Sequence, residues 1–416
     1  MDHHNLPRSV AELISQLAAE GVPASDYQKH IDRFMSFKAR EQGVPYLGTF
    51  ELTPLCNLDC KMCYVHLRGE QMEGRRLLTA DEWKDLMTRA AGAGMMKAKL
   101  TGGECLTYPG FEELFLHLHG LGINTAVLTN GILLDEARIR FFKEHPANGI
   151  QVTLYGSSDD AYEKVTGKRA FGLVYNNIRA AIEADLPISL AITPNRFMED
   201  DAIKLIDTAQ SLGVPYNINA DLFAPREDTG RAGLNINASL DTYILMYKRQ
   251  REYLGEEEIP VNPEDLPMPG KPAGRDGKVT VRDMAERDSL SVPGDSVAGV
   301  DPAEPAAEGE LRRGIRCAAG RGMFEIDWRG RMYGCSSLRT IYADPLEIGF
   351  DRAWRSINDQ AVDYLIPAEC GDCAYSDVCI TCPAAHEQNG SSAHCNRAYC
   401  DRVKRMVAEG ILEIGR

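Results

Sequence analysis

Residues 51–66 read ELTPLCNLDCKMCYVH, a short stretch that concentrates three of the chain's twelve cysteines. Cys56, Cys60 and Cys63 fall within eight residues, spaced C-x-x-x-C-x-x-C, directly after a strand candidate, YLGTFEL (46–52). A structural zinc site asks for four ligands in a closed tetrahedron. Three thiolates without a near fourth suit a [4Fe–4S] cluster, whose remaining iron stays open to a small molecule. His66 is an alternative fourth ligand, but it reads better as a surface loop histidine.

Outward from this loop, strand and helix alternate. LTADEWKDLMTRAAGAG (78–94) carries a capping box at Thr79 and Glu82, with Trp83, Leu86, Met87 and Ala90 at helical spacing. The strand candidates that follow are MKAKL (96–100), TAVLT (125–129), IQVTLY (150–155), ISLAIT (188–193) and YNINA (216–220). Helices are expected from about 111, over 134–144, up to about 184, and over about 199–212. Six βα units in series predict an α/β fold with a parallel sheet, a partial, TIM-like (β/α)6 barrel. Chemistry in such barrels sits on loops at the C-terminal ends of the strands.

The rest of the chain differs. Residues 1–44 are expected to form a short N-terminal helical extension, with Leu13, Ile14, Leu17 and Ala18 as a weak apolar stripe. The barrel is expected to span 45–235. Residues 236–315 include NPEDLPMPGKPAGRDGK and SVPGDSVAGVDPAEPAAEGE and read as a linker, disordered or acting as a lid. Residues 316–402 read as a small metal-stapled domain, and 403–416 as a terminal helix or tail.

Composition bounds the function. The 416 residues carry a formal charge of −15, which disfavours nucleic acid as a partner. No apolar run reaches the roughly 18 residues of a membrane span, and the N-terminus lacks a signal-peptide pattern. A cytoplasmic protein is expected. Its twelve cysteines are then thiols rather than disulfides. They are clustered: three at 56–63, one at 105, eight between 317 and 400, which points to iron–sulfur or metal ligation.

The cysteine loop resembles the motif of the radical S-adenosylmethionine (radical SAM) superfamily. Met62 stands where that family commonly has an aromatic residue, and Tyr64 follows the last cysteine. The end of the second strand, LTGGEC, supplies Gly102, Gly103 and Glu104, which resemble the family's GGE. The resemblance implies that Cys56, Cys60 and Cys63 hold a [4Fe–4S] cluster, and that glutamate and backbone receive the methionine amino group. Bare glycines suit close backbone approach. Met62, Tyr64, Asn130, Ser157 and Thr193 are further cofactor-contact candidates. Cys105 reads as a small buried residue or as a thiol near the cofactor.

The tail reads Cys317, then WRGRMYGC ending at Cys335, CGDCAYSDVCITC (370–382), Cys395 and Cys400. CGDC alone could be half a zinc ribbon. The whole pattern resembles the SPASM domain, including Gly330 with four residues between it and Cys335. The resemblance implies two auxiliary [4Fe–4S] clusters, three clusters in all. The first takes Cys317, Cys335 and Cys382. The second takes Cys370, Cys373, Cys379 and either Cys395 or Cys400.

The resemblance implies an oxidoreductase that cleaves S-adenosylmethionine reductively to a 5′-deoxyadenosyl radical. The favoured reading is maturation of a ribosomally made peptide by a thioether or carbon–carbon cross-link. A formylglycine-forming, sulfatase-maturing oxidation and a small-molecule modification are the alternatives. Asp221 and Glu227 are candidate catalytic bases. Expected partners are the peptide, a flavodoxin or ferredoxin as electron donor, and a separate leader-recognition protein, with no nucleic acid and no membrane.

Overall fold

A computed structural model describes residues 7, 9–219, 222–226, 236–255, 279–280, 310–313, 315, 317–371, 373–376, 378–379, 382–388 and 396–412. Asp221, Glu227 and Cys395 lie outside the described residues.

Six parallel strands form the expected succession: β1 (Leu47–Glu51), β2 (Lys97–Thr101), β3 (Asn124–Thr129), β4 (Gly149–Thr153), β5 (Ile188–Ile192) and β6 (Tyr216–Ile218). Their registers run Phe50↔Leu100, Val127↔Ile150 and Leu190↔Tyr216. The helices between them are α3 (Ala80–Gly92), α4 (Phe111–Gly120), α5 (Glu136–Glu144), α6 (Asp159–Thr166), α7 (Phe171–Glu183) and α8 (Ala202–Ser211), preceded by α1 (Val10–Ala19) and α2 (Tyr27–Gln42). The Thr79–Glu82 box is formed as the sequence predicts: Glu82 N–H donates to Thr79 Oγ1 at 3.3 Å, and Thr79 N–H donates to Glu82 Oε2 at 2.8 Å. It satisfies two donors that the first turn of α3 would otherwise leave bare.

Strand alternation divides the sheet into two faces. Phe50 packs edge-on to Trp83 of α3, with ring centroids 6.0 Å apart, and Ala98, Leu100, Ile150 and Val152 share this buried outer side. Each large side chain buried there contributes roughly 1.5–3 kcal/mol. The opposite face carries Thr49, Glu51, Lys97, Lys99, Gln151, Thr153, Ser189 and Asn217, with Leu47, Ala126, Leu128 and Ala191 among them, so that polar side chains predominate. A barrel plugged by its own side chains shows branched apolar layers here instead. A polar inner face suits a mouth that receives a ligand.

Two features depart from the sequence reading. The first is that the tail does not start a body of its own. Strand β9 (Met323–Ile326) pairs in parallel with β1, Phe50↔Ile326, and continues antiparallel into β10 (Met332–Tyr333) and β11 (Tyr342–Ala343). Among the described residues the sheet therefore has nine strands, in the order β11-β10-β9-β1-β2-β3-β4-β5-β6. Helix Phe350–Asp363 closes over this addition, with Phe350 and Trp354 against Phe324 at 5.4 and 6.0 Å.

The second is helix α9 (Leu240–Leu254), in the segment read as linker. It packs on α8 and serves the outer edge of the sheet. Tyr247 Oη donates to Ile218 O at 2.9 Å and Gln250 Nε2 to Tyr216 O at 3.2 Å. These side chains satisfy carbonyls that the last strand leaves without a neighbour strand. The stretch 236–255 is thus part of the barrel, and the linker reading is corrected there. Further on, β7 (Val279–Thr280) and β8 (Glu310–Arg313) form a three-stranded antiparallel sheet with β12 (Leu365–Pro367). The remainder of 256–314 lies outside the described residues.

Candidate active site

The three-cysteine loop leaves β1 and is fastened on several sides. Leu67 N–H donates to Pro54 O at 3.0 Å, which closes the loop. Asp59 N–H donates to Thr166 O at 3.1 Å and Lys61 N–H to Val165 O at 3.0 Å, so the end of α6 holds both neighbours of Cys60. The sulfurs themselves accept donors. Cys56 Sγ accepts Leu58 N–H at 3.4 Å and Asn130 Nδ2 at 3.6 Å, and Cys63 Sγ accepts His66 N–H at 3.2 Å. Such donors stabilise thiolate sulfur and orient it. His66 is no surface histidine: its ring is buried, with Nδ1 3.3 Å from Asp59 Oδ1.

The GGE segment sits against this loop. Gly103 N–H donates to Thr53 O at 2.6 Å and Glu104 N–H to Leu55 O at 2.9 Å. A Cβ on Gly102 would lie 2.6 Å from Thr53 O, and one on Gly103 would strike Leu55 O. The close approach these glycines permit is to the backbone leading into the cysteine loop. Glu104 is buried, and its carboxylate accepts Thr129 Oγ1 at 2.7 Å, Asn130 N–H at 2.7 Å and Leu106 N–H at 3.1 Å. Burial pushes this carboxyl upward while the donors from Asn130 and Thr129 pull it back. Glu104 therefore ties the end of β2 to the end of β3. Through it Asn130 is aimed at the loop, where Nδ2 also donates to Asn57 Oδ1 at 2.6 Å.

The other candidates are distributed unevenly. Met62 is buried in the core. Ser157 gives both its N–H and its hydroxyl to Asp201, at 2.6 and 2.5 Å, and so braces the start of α8. Thr193 is half-buried at the end of β5, its carbonyl accepting Asn195 Nδ2 at 3.1 Å. Cys105 is fully buried, with Sγ 3.2 Å from Leu128 O, as the core reading holds.

Tyr64 leads to residues that the sequence did not reveal. Its carbonyl accepts Arg226 N–H at 3.0 Å, and its ring lies 4.8 Å from the Arg226 guanidinium. That guanidinium pairs with Glu51 of β1 and, at 2.8 Å, with Glu325 of β9, while Nε donates to Ser336 O at 3.1 Å. Burial pushes Glu51 up to about 7 against the pull of Arg226. One side chain so links the loop of Cys63 to the loop of Cys335.

In the tail, Cys335 Sγ accepts Leu338 N–H at 3.3 Å, and burial, then Cys317, pushes its thiol up to about 12. Tyr364 lies in the field of both Cys382 and Cys335. Cys373 and Cys379 bracket a tight turn, with Cys379 N–H donating to Tyr375 O at 2.9 Å. Cys400 lies in the first turn of the helix Arg397–Ala408, and its pairing with Lys404 raises the Lys404 ammonium above its ordinary range.

The donor set fits an iron–sulfur cluster with a bound cosubstrate. Among the described residues no three His, Cys, Asp or Glu side chains close on a single metal ion. Burial pushes the Cys56 thiol up to about 12, so a thiolate there needs a cationic partner. Two buried donors, Asn57 Nδ2 in the loop and Tyr162 Oη on α6, have no hydrogen-bond partner among the described residues. Thiols in want of a cation and donors in want of acceptors are what a cluster and its ligand would satisfy.

No helix among the described residues is long and apolar enough to cross a membrane. The profile of the radical SAM superfamily matches residues 50–215. A probable GTP 3′,8-cyclase from Saccharolobus solfataricus is 34% identical over 166 residues, 39% of this chain and 52% of that one. The sporulation killing factor maturation protein SkfB of Bacillus subtilis is 26% identical over 171 residues, 41% of each chain. The chain thus spans about half, or less, of the length of these curated relatives. In fold it is similar to Streptococcus suis SuiB bound to precursor peptide SuiA, with a TM-score of 0.56, 14% identity, and coverage of 90% of this chain and 80% of that one. The family uses S-adenosylmethionine and a [4Fe–4S] cluster, and the strands, the cysteine loop and the GGE segment described above all fall within or at the border of the matched region: this chain carries a radical SAM domain.

Proposed function

We propose that this protein is a radical SAM peptide maturase that cross-links a ribosomally made peptide. Cys56, Cys60 and Cys63 would hold the radical cluster, with Asn130 and the backbone at Gly102 and Gly103 shaping the cosubstrate side. When bound, cluster and S-adenosylmethionine supply the 5′-deoxyadenosyl radical that takes a hydrogen from a peptide carbon. The chain's own share is orientation. Glu104 fixes Asn130, α6 fixes Cys60, and the polar inner face of the sheet offers hydrogen bonds to an entering peptide.

The observation that carries the reading is the Arg226 bridge. It sets the loop of Cys335 against the loop of Cys63, which favours a centre built from both parts of the chain. Closing a cross-link removes two hydrogens, one taken as an atom, the other leaving as a proton plus an electron. We assign the electron's acceptor to an auxiliary cluster on Cys317, Cys335 and Cys382. A second would use Cys370, Cys373, Cys379 and either Cys400 or Cys395. The maturation named for SkfB and the precursor peptide bound by SuiB support a peptide substrate. The electron donor would be a flavodoxin or ferredoxin, and a separate protein would read the leader.

A small-molecule reading rests on the cyclase relative, whose identity is the higher, 34% against 26%, over a match of similar length. The test incubates the reduced, reconstituted protein with S-adenosylmethionine and, in parallel, with a short peptide encoded beside its gene or with GTP. Loss of two hydrogens from the peptide, read by mass spectrometry, is the expected result. Conversion of GTP with the peptide untouched would overturn it, and formylglycine in a sulfatase peptide would establish the sulfatase alternative.

A further inference from the structure

Helix α6 does more than hold up the cysteine loop. Its last turn gives the carbonyls of Val165 and Thr166 to Lys61 and Asp59, on either side of Cys60. Tyr162 lies three and four residues earlier, on the same helical face, and like Val165 and Thr166 it is fully buried. Its ring meets Tyr155 edge-on at 5.7 Å. Its hydroxyl has no hydrogen-bond partner among the described residues. Burying a hydroxyl without a partner costs free energy that phenylalanine would avoid. The packing gives no reason for the oxygen, because the ring contacts alone would be served by Phe.

The surroundings say which acceptor is missing. Burial, and then the neighbouring Cys60, push the Tyr162 hydroxyl well above its ordinary range, with Glu104 adding to this. It therefore stays an O–H donor. Tyr162 thus stands on the helix that grips the loop on both sides of Cys60, whereas Asn130 donates to Cys56.

We propose that Tyr162 is a tuning residue that donates a hydrogen bond to a sulfur of the [4Fe–4S] cluster at its Cys60 corner. A donor to cluster sulfur stabilises the more negative, reduced state and raises the reduction potential. This inference rests on the radical SAM domain and is independent of the substrate.

The test is a redox titration of the reconstituted full-length protein, followed by electron paramagnetic resonance on the signal that Cys60→Ala abolishes. Tyr162→Phe keeps the ring and removes only the unpartnered oxygen. It should keep wild-type iron content and melting temperature while the midpoint potential moves to more negative values. Replacing Tyr162 by 3-fluorotyrosine, a stronger donor, should move it the opposite way. An unchanged potential in the Phe variant, or loss of iron from it, would overturn the proposal, as would shifts of the same sign in both variants.

Discussion

The guanidinium of Arg226 lies 2.8 Å from the carboxylate of Glu325. This ion pair joins the loop after β6 to a strand that enters the sheet only after the long intervening segment. Glu51 takes the other side of the same guanidinium, and both carboxylates are buried. Breaking a buried pair from one side leaves uncompensated charge, at a cost of about 3–5 kcal/mol. Arg226→Met should lower stability by that order in urea denaturation. The triple variant Arg226→Met, Glu51→Gln, Glu325→Gln should recover most of the loss. No recovery would mean that packing, not charge, fixes this junction.

The same cluster sets a pH dependence. Burial raises Glu51 from 4.5 to about 7, so the folded protein binds this proton more tightly than the unfolded chain. Its contribution is full below about pH 4.5 and is lost as pH rises through about 7. Glu51→Gln should therefore flatten the dependence of melting temperature on pH between those values. An unchanged slope would place the titrating group elsewhere.

Gly103 tests the backbone cradle. A Cβ there strikes Leu55 O, which is main chain and has little room to yield. Gly103→Ala should cost about 1–3 kcal/mol and displace the cysteine loop, with loss of cluster loading. Gly172, in the first turn of α7 with open space around it, is the control. Gly172→Ala should be neutral or stabilise by roughly 0.5–1 kcal/mol. Equal damage from both would refute the cradle.

Much of this was legible beforehand because it is local. Strand lengths, the Thr79–Glu82 box and the cysteine spacing are all read within short windows, and each strand lies within a few residues of its expected place. What escaped depends on distance in the chain. The parallel pairing of β9 with β1 leaves no periodic trace in MFEI. Arg226 meets Glu51 across 175 residues, and nothing in the composition of either neighbourhood couples them. The apolar positions Tyr243, Met246 and Tyr247 do mark α9, but the Pro- and Gly-rich run beyond it dominated the reading. Ser157 reads as a cofactor contact or as turn chemistry because strand-end serines serve either role, and its hydrogen bond to Asp201, 44 residues on, has no local signal.

Asn130 offers a test of the cosubstrate side. Its amide joins Cys56 to Asn57, and its N–H is held by Glu104. Removing such a supporting contact typically costs 10–100-fold, and we expect about that loss of S-adenosylmethionine cleavage in Asn130→Ala. Iron content should stay near wild type. Loss of iron instead would make Asn130 a scaffold residue alone.

Iron content tests the tail. Three four-iron clusters give about twelve irons per chain, and Cys373→Ala should leave about eight. A wild-type value near four would remove both auxiliary clusters.

The central claim is that the missing fourth thiol beside Cys56, Cys60 and Cys63 leaves an iron for S-adenosylmethionine. Its most direct test is chromatographic detection of 5′-deoxyadenosine from the reduced protein and from its Cys56→Ala, Cys60→Ala, Cys63→Ala variant. The wild type should form it, and the variant should form none while its tail still holds iron. A variant that still makes 5′-deoxyadenosine, or a fully loaded wild type that makes none, would contradict the account.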